Sequence, residues 1–357
     1  MIRVFKKRFL LLPFILAVPL TGGLTGPSCS VEKADGGVYK TVDGTDSWKQ
    51  TIAIEDSKDN LSKANIDRLI ADPNNSEVVF LLSRDNGIYV SNHFGESWKR
   101  ILPESSKVYT LEADPKTPGR FYATALINGR GKILRTDNGG IDWREVFTEA
   151  GKDTFVEHIK IDATNKNSLL AINSAGLLIR SFDSGETWQA VYPFNEPVVS
   201  VNFDLKQENS IWILTNKGLW FSENGGSGFG FIDLSLEKKL GSNFYFIRCI
   251  GDNLYLSSDQ GFFKTNDRGK TWDKIITLNN PTTFPVRALA VFSGGEEGKK
   301  MAIGAGMTMY VTEDGGKTWK SIQFEVDRQV NSIIIKGDDP KQILVGVSTV
   351  SQTGFGF

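Results

Sequence analysis

The chain has 357 residues, of which 41 are Lys or Arg and 42 are Asp or Glu, so its formal net charge is −1. This balance argues against a nucleic-acid-binding protein, which usually carries an excess of basic residues. Glycine occurs 36 times and tryptophan 8 times, a combination of turns and large apolar side chains that is typical of β-rich proteins. The cysteines Cys29 and Cys249 are too few for a disulfide framework.

Residues 1–29 have the features of an export signal of the lipoprotein type. Basic residues precede an apolar stretch, which is too short and too interrupted by prolines for a transmembrane helix. The small residues that follow end at Cys29, which predicts a lipidated cysteine and a membrane anchor. Ordinary cleavage near Cys29 and an uncleaved leader are the alternatives. Each of the three places the following domain, residues 30–357, outside the cytoplasm.

An eight-residue pattern, Ser/Thr-x-Asp-x-Gly-x-Thr-Trp, recurs along the rest of the chain. It is intact at residues 181–188, 265–272 and 312–319. Degenerate copies occupy residues 41–48, 91–98, 136–143 and 222–229. Successive aromatic ends of these boxes lie 41 to 50 residues apart, a period that fits a four-stranded propeller blade.

The residue types of the box favour a structural role. An aspartate accepts backbone hydrogen bonds within a tight turn, glycine permits a positive φ, and a hydroxyl adds a local hydrogen bond. The tryptophan provides a large apolar face, and Trp188, Trp272 and Trp319 are expected to be buried between blades. The predicted structural residues are Asp43, Trp48, Trp98, Trp143, Asp183, Gly185, Trp188, Asp267, Gly269, Trp272, Asp314, Gly316 and Trp319.

Apolar runs precede the boxes, and no stretch shows a sustained helical period, so an all-β domain is predicted. The box at 41–48 lacks two preceding strands, whereas the runs at 332–335 and 343–347 have no box after them. Two strands from each end therefore complete one blade and close the ring without an open sheet edge. The predicted fold is a seven-bladed β-propeller over residues 30–357.

The boxes resemble those of the Asp-box (BNR) repeat families, in the broad class of WD40- and YVTN-like propellers. A single propeller of this length with a leader looks most like the photosystem II stability/assembly factor family, and this resemblance implies protein partners at a membrane. Sialidases share the box but carry a Phe-Arg-Ile-Pro segment, which residues 284–287 do not match. Xyloglucanase-type glycosidases usually have two large propellers, whereas one is predicted here. Sortilin-like receptors have ten blades and a cysteine-rich module, unlike the seven boxes and two cysteines of this sequence.

Two classes of function stay open. The first is a protein-binding or assembly/stability scaffold for membrane or envelope proteins, acting as a monomer. The second is a glycan-binding protein or a glycoside hydrolase of the Asp-box class, although no spacing singles out a catalytic pair of carboxylates. The recurrent Asp72, Asp114 and Asp162 indicate turn chemistry. We expect no catalytic set, no metal centre and no cofactor, and we expect Cys249 to be a buried core thiol.

One constellation is a candidate binding site. Aligning the predicted inner strands puts Arg68, His158 and Arg248 at one position, with Arg287 one residue earlier. That position lies at the channel mouth opposite the boxes, where loop residues Arg84 and Arg130 should flank it. Arginines at a concave mouth can bind an acidic peptide or a carboxylate ligand. The alternative is a solvated polar ring without a dedicated ligand.

Overall fold

The computed structural model of the protein describes residues 35–102, 107–162, 165, 167–204, 207, 209–292, 294–296 and 298–349. The predicted leader and its Cys29 lie outside these residues. The described chain forms a seven-bladed β-propeller of 28 strands in seven four-stranded sheets, which confirms the predicted fold. Its helical elements are two short 3-10 turns, Leu234–Leu236 and Lys238–Leu240. Within the described residues, no helix has the length and apolar character needed to cross a membrane.

The strands are numbered in chain order, and the blades are numbered from the first complete sheet. Blade 7 combines β1 (Gly37–Thr41) and β2 (Lys49–Gln50) with β27 (Gln329–Ile335) and β28 (Ile343–Ser348). Blade 1 contains β3 (Arg68–Asp72), β4 (Asn75–Ser83), β5 (Gly87–Ser91) and β6 (Lys99–Leu102). Blade 2 contains β7 (Lys107–Ala113), β8 (Phe121–Ile127), β9 (Arg130–Thr136) and β10 (Arg144–Thr148). Blade 3 contains β11 (Val156–Ile161), β12 (Leu169–Asn173), β13 (Leu177–Ser181) and β14 (Gln189–Pro193).

The remaining three blades have the same plan. Blade 4 contains β15 (Val198–Phe203), β16 (Ile211–Thr215), β17 (Leu219–Ser222) and β18 (Gly230–Ile232). Blade 5 contains β19 (Phe244–Ile250), β20 (Asn253–Ser258), β21 (Gly261–Thr265) and β22 (Asp273–Ile275). Blade 6 contains β23 (Val286–Val291), β24 (Met301–Ala305), β25 (Thr308–Thr312) and β26 (Lys320–Gln323).

Each of blades 1 to 6 is an antiparallel meander whose first strand is innermost. The seven inner strands, β3, β7, β11, β15, β19, β23 and β27, contact one another in turn around a central channel. Blade 7 is shared between the chain ends, since β1 pairs with β28 from Gly37↔Val347 to Thr41↔Ile343. This pairing closes the ring as predicted, and it spares the first and last blades an exposed sheet edge.

The hydrophobic core lies between neighbouring blades. Side chains of adjacent sheets interdigitate because alternate residues of a strand point to opposite faces. Between blades 4 and 5, for example, Trp212 and Leu219 pack with Leu256, Phe263 and Trp272. Burial of each such side chain stabilises the fold by roughly 1.5–3 kcal/mol. Because each pair of neighbouring blades forms its own cluster, the core consists of seven inter-blade layers rather than one centre.

The box hairpins satisfy their own polar groups. In the box at 265–272, the Thr265 hydroxyl donates to Asp267 at 2.7 Å and accepts from the Gly269 N–H at 3.1 Å. Thr271 donates to the same carboxylate through its N–H (2.9 Å) and its hydroxyl (2.6 Å). These hydrogen bonds, that of the Thr271 hydroxyl first, lower the pKa of Asp267 to about 2. The boxes of Asp43, Asp183 and Asp314 repeat this network.

The boxes and the turns between first and second strands share one end of the propeller, which we call the box face. The Gly139 N–H donates to Gly119 O at 2.9 Å, and the same bond recurs in other blades between Gly225 and Asn209 and between Gly315 and Lys299. The starts of the inner strands lie at the opposite end, which we call the mouth face. The expectation that the inner strands start at the end opposite the boxes is therefore confirmed.

The box tryptophans are not equally buried. Trp98 and Trp272 are 0% and 4% exposed, whereas Trp188 and Trp319 are half-buried. The prediction that Trp188 and Trp319 are buried was wrong, because their indole N–H groups turn to main-chain oxygens near the surface. Trp319 Nε1 donates to Ile276 O at 2.8 Å, and Trp188 Nε1 donates to the oxygen of its own box glycine at 3.0 Å.

Candidate functional site

A β-bulge at the start of the inner strands sets the register of the channel. The bulge falls at the same position in the six inner strands β7, β11, β15, β19, β23 and β27. The extra residues, which with Asp67 of blade 1 we call the bulge layer, are Tyr109, Glu157, Val199, Tyr245, Arg287 and Asn331. A bulge places two residues opposite one and re-aims the side chains beyond it.

Two further layers follow the bulge layer along the inner strands. The upper layer consists of Arg68, Thr110, His158, Ser200, Phe246, Ala288 and Ser332. The lower layer, two residues further along each strand, consists of Ile70, Glu112, Lys160, Asn202, Arg248, Ala290 and Ile334. The residues between these layers, such as Leu111 and Ile247, are buried in the inter-blade core.

The register corrects the alignment of Arg248. It was predicted at the position of Arg68 and His158, but Phe246 occupies that position and Arg248 lies in the lower layer. A shift of two residues keeps a side chain on the same face of a strand, so the apolar alternation could not reveal it. Arg287 lies one residue before the upper layer, where it was expected.

Most polar side chains of the channel bond to the free edges of neighbouring inner strands. Ser200 and Asn202 donate to Ile247 O at 3.0 and 2.9 Å. Asn331 donates to Asp67 O at 2.9 Å, and the Ser332 hydroxyl accepts from the Leu69 N–H at 2.9 Å. These bonds satisfy backbone groups that no strand pairs, which is a structural task.

His158 belongs to this structural set. It is 8% exposed, and its Nε2–H donates to Val198 O at 3.2 Å. Burial, with a further contribution from the Arg68 charge, lowers its pKa to about 3, so the ring is neutral at physiological pH. A neutral imidazole whose N–H already donates to a carbonyl cannot form an ion pair with an acidic ligand.

The cations of the channel have fewer hydrogen-bond partners than these neutral polar side chains. The Lys160 ammonium pairs with Glu112 at 2.8 Å, and Arg68 donates to Thr110 Oγ1 at 3.3 Å. Among the described residues the Arg248 guanidinium has no hydrogen-bond acceptor, and it lies 6.0 Å from the Phe246 ring. Burial, and then the Arg248 charge, lower the pKa of Arg68 to about 10, which leaves it charged at neutral pH.

These side chains surround one cavity of about 210 Å³ that opens within the channel. Its polar lining includes Asp67, Arg68, Glu112, Lys160, Arg248 and Arg287. Three of the predicted binding residues, Arg68, Arg248 and Arg287, therefore meet at one cavity, although at three different depths.

The bulge layer has a mixed charge. Arg287 lies over the Tyr245 ring at 4.8 Å, and Arg84 lies over Tyr109 at 5.6 Å. Burial raises the pKa of both carboxyls of this layer, those of Asp67 and Glu157. Arg130 is exposed at the start of β9 and does not line the cavity. The mouth is thus nearly balanced in charge, and the excess of cations lies deeper.

Exposed apolar side chains flank the mouth beside Arg287. Leu278 and Phe284, on the segment between blades 5 and 6, are 64% and 41% exposed. Met307, in the adjoining loop of blade 6, is 36% exposed, and Gly306 beside it contacts the Phe284 ring. A contiguous apolar rim beside open cation donors is suited to recognition of another chain.

Sequence reasoning missed Glu112, Lys160, Asp67, Glu157 and Tyr245. Lys160 and Glu112 lie in the lower layer with Arg248, which the sequence alignment had placed one layer too high. The aspartates at 72, 114 and 162 hold turns as expected, through backbone N–H bonds of 2.8, 2.8 and 3.2 Å to their carboxylates. Cys249 is half-buried against the core between blades 4 and 5, and burial raises its pKa.

Comparison with known proteins supports the propeller fold. No family model matches the chain. A xyloglucanase of Hypocrea jecorina (strain QM6a) is 24% identical over 294 residues, covering 77% of this chain and 33% of its own length. The chain thus spans about a third of this curated relative.

The similar solved structures are also propellers. The GH74 xyloglucanase from Xanthomonas campestris superposes with a TM-score of 0.67 at 14% identity, over 80% of this chain and 51% of that one. YCF48 from Cyanidioschyzon merolae gives 0.60 at 13% identity, over 80% and 96%. A structure of YCF48 bound to D1 peptide gives 0.61 at 15% identity, over 81% and 93%. At these identities the likeness shows the fold alone, which in this chain is a seven-bladed propeller.

Proposed function

We propose that the protein is an extracytoplasmic binding propeller that holds an acidic segment of a membrane or envelope protein at its mouth face. The observation that carries this proposal is the open donor capacity of Arg287 and Arg68 around one cavity. Arg287 makes only a ring contact among the described residues, and Arg68 uses one donor on a neutral hydroxyl. A guanidinium has five N–H donors, which suit carboxylates.

The apolar rim supports a peptide rather than a free small ligand at the mouth. Leu278, Phe284 and Met307 offer apolar surface next to Arg287. An extended segment with acidic and apolar residues would contact both. The YCF48 structure with a D1 peptide shows that a propeller of this fold binds a peptide of another protein.

The location is part of the proposal. The leader pattern with Cys29 motivates an anchored protein outside the cytoplasm, where its partner would be a neighbouring membrane protein. Intact-mass measurement of the mature protein tests this: lipidated Cys29 at the amino terminus is expected. A mature chain that begins beyond residue 29 contradicts the anchor.

Peptide binding tests the central claim. A fluorescent Glu-rich peptide with interspersed Phe is titrated with the protein, beside a counterpart in which Gln replaces Glu. A charge-assisted hydrogen bond contributes about 1.5–3 kcal/mol, so Arg68→Gln/Arg287→Gln should weaken binding by roughly a hundredfold or more. Added salt should weaken binding of the Glu-rich peptide.

The matched control is Arg130→Gln, because Arg130 is exposed on the same face but lies away from the cavity. Its affinity should stay close to wild type. Equal binding of both peptides, or unchanged affinity of a folded double variant, refutes the mouth as an acidic-segment site.

Glycan binding or hydrolysis is the second candidate, favoured by the match to the xyloglucanase. The bulge layer holds two carboxyls, Asp67 and Glu157, whose pKa values are raised by burial, as a general acid requires. Turnover of a panel of β-glucans, lost in Asp67→Asn, would support this candidate over the scaffold. Absence of turnover and of glycan binding would remove it.

A further inference from the structure

The channel below the bulge layer contains more positive charge than its protein partners compensate. Arg68, Lys160 and Arg248 carry three positive charges on the lining of one cavity, and Glu112 is the carboxylate that faces them at this depth. Glu112 is committed to Lys160 at 2.8 Å. The remaining carboxyl of the lining, Asp67, accepts the Arg84 backbone N–H at 2.5 Å in the bulge layer.

Arg248 is the channel cation for which the described residues provide no hydrogen-bond acceptor. Its neighbours in the lower layer are apolar or already bonded, such as Asn202, which donates to Ile247 O. The Arg248 side chain is only partly exposed, yet no described residue accepts a hydrogen bond from its guanidinium. Uncompensated charge in such surroundings is costly unless an anion or water supplies the acceptors.

The size of the cavity limits what can enter. Pockets for drug-sized ligands have volumes of about 300–1,000 Å³, whereas this cavity has about 210 Å³. A compact oxyanion fits within this volume. The planar donors of Arg68 and Arg248 and the ammonium of Lys160 match the tetrahedral or forked oxygens of phosphate and carboxylate.

We infer that the channel has a second binding site, in which Arg68, Lys160 and Arg248 hold one small free oxyanion of the phosphate or carboxylate class. The site shares Arg68 with the proposed peptide site, extends below it to Lys160 and Arg248, and does not depend on a protein partner. Burial lowers the pKa of Lys160, and the charges of Arg248 and Arg68 lower it further, so a bound anion would offset this repulsion.

Inorganic phosphate is the probe, titrated calorimetrically into the protein in a low-salt zwitterionic buffer. Saturable binding of one phosphate per chain is expected. Arg248→Gln should weaken it by about 10- to 100-fold, as expected for loss of a charge-assisted hydrogen bond. Arg130→Gln, the same change at an exposed arginine away from the cavity, serves as the matched control and should retain near-wild-type affinity.

Glu112→Gln provides a test that misfolding cannot imitate. Removing the competing carboxylate frees Lys160, so phosphate should bind about tenfold more tightly or better. Absence of saturable binding, unchanged affinity in Arg248→Gln, or weaker binding in a folded Glu112→Gln variant overturns the inference. Displacement of bound phosphate by the Glu-rich peptide also overturns it, since a partner's carboxylate would then be the natural occupant.

The two proposals fail independently. Phosphate binding without peptide binding refutes only the mouth as a peptide site. Peptide binding without phosphate binding refutes only the oxyanion site.

Discussion

Two adjacent glycines of one box allow a direct test of how blades pack. Gly139 and Gly140 have φ values of +75° and +91°, so an added side chain strains the backbone at both. A Cβ at Gly139 would meet nothing within 4 Å, whereas a Cβ at Gly140 would lie 2.6 Å from the Ile101 Cδ1 of the preceding blade. The same methyl group is therefore added once into open space and once into an inter-blade contact.

The expected costs follow from these environments. Backbone strain at positive φ costs about 1–2 kcal/mol per residue, and this applies to Gly139→Ala and to Gly140→Ala. Overpacking costs about 1–3 kcal/mol more, and it applies to Gly140→Ala alone. Ile101 belongs to the outer strand β6, so its displacement would also loosen the contact between blades 1 and 2.

Denaturant unfolding followed by far-ultraviolet circular dichroism measures the difference. Gly140→Ala should unfold at a clearly lower denaturant concentration than Gly139→Ala. Its free energy of unfolding should be lower by about 1–3 kcal/mol. Equal midpoints, or a larger loss for Gly139→Ala, would show that the box glycine is required only for its backbone conformation. The close packing of boxes onto preceding blades would then not limit stability.

Three further predictions concern stability and the anchor. Trp98→Phe should lower the free energy of unfolding, measured with denaturant, by about 1–3 kcal/mol more than Trp272→Phe does. The reason is that Trp98 Nε1 donates to Thr51 O at 3.1 Å, whereas the buried Trp272 Nε1 has no partner among the described residues. A larger loss for Trp272→Phe contradicts this. His158 takes up its proton only on unfolding between pH 6.5 and about 3, so its contribution is complete above pH 6.5 and falls by about 2 kcal/mol at pH 5. Unfolding midpoints of wild type and His158→Gln should therefore converge between pH 7 and pH 5, and parallel curves refute the assignment. Cys29→Ser should release the protein from membranes, as fractionation would show, whereas full retention contradicts the lipid anchor.

The number and type of blades follow from local chemistry that a sequence displays directly. Each box satisfies its aspartate, hydroxyl and backbone N–H groups within eight residues, as in the box of Asp267, so its signature survives without tertiary context. The spacing of the boxes then predicts four strands per repeat, and the incomplete repeats at the two ends predict the shared blade that β1 and β28 form.

The depth of the charged residues in the channel was decided only by the tertiary structure. The bulge adds one residue at the start of each inner strand, and a register shift of two residues leaves the alternation of apolar side chains unchanged. Nothing local distinguishes the correct alignment, so Arg248 was placed one layer too high and its layer mates Lys160 and Glu112 were missed. Box tryptophans show the same limit: Trp272 and Trp319 end identical motifs, but contacts with the preceding blade bury the first and leave the second half-exposed. Burial and channel depth depend on neighbours distant in sequence, and these are known only once the blades have packed.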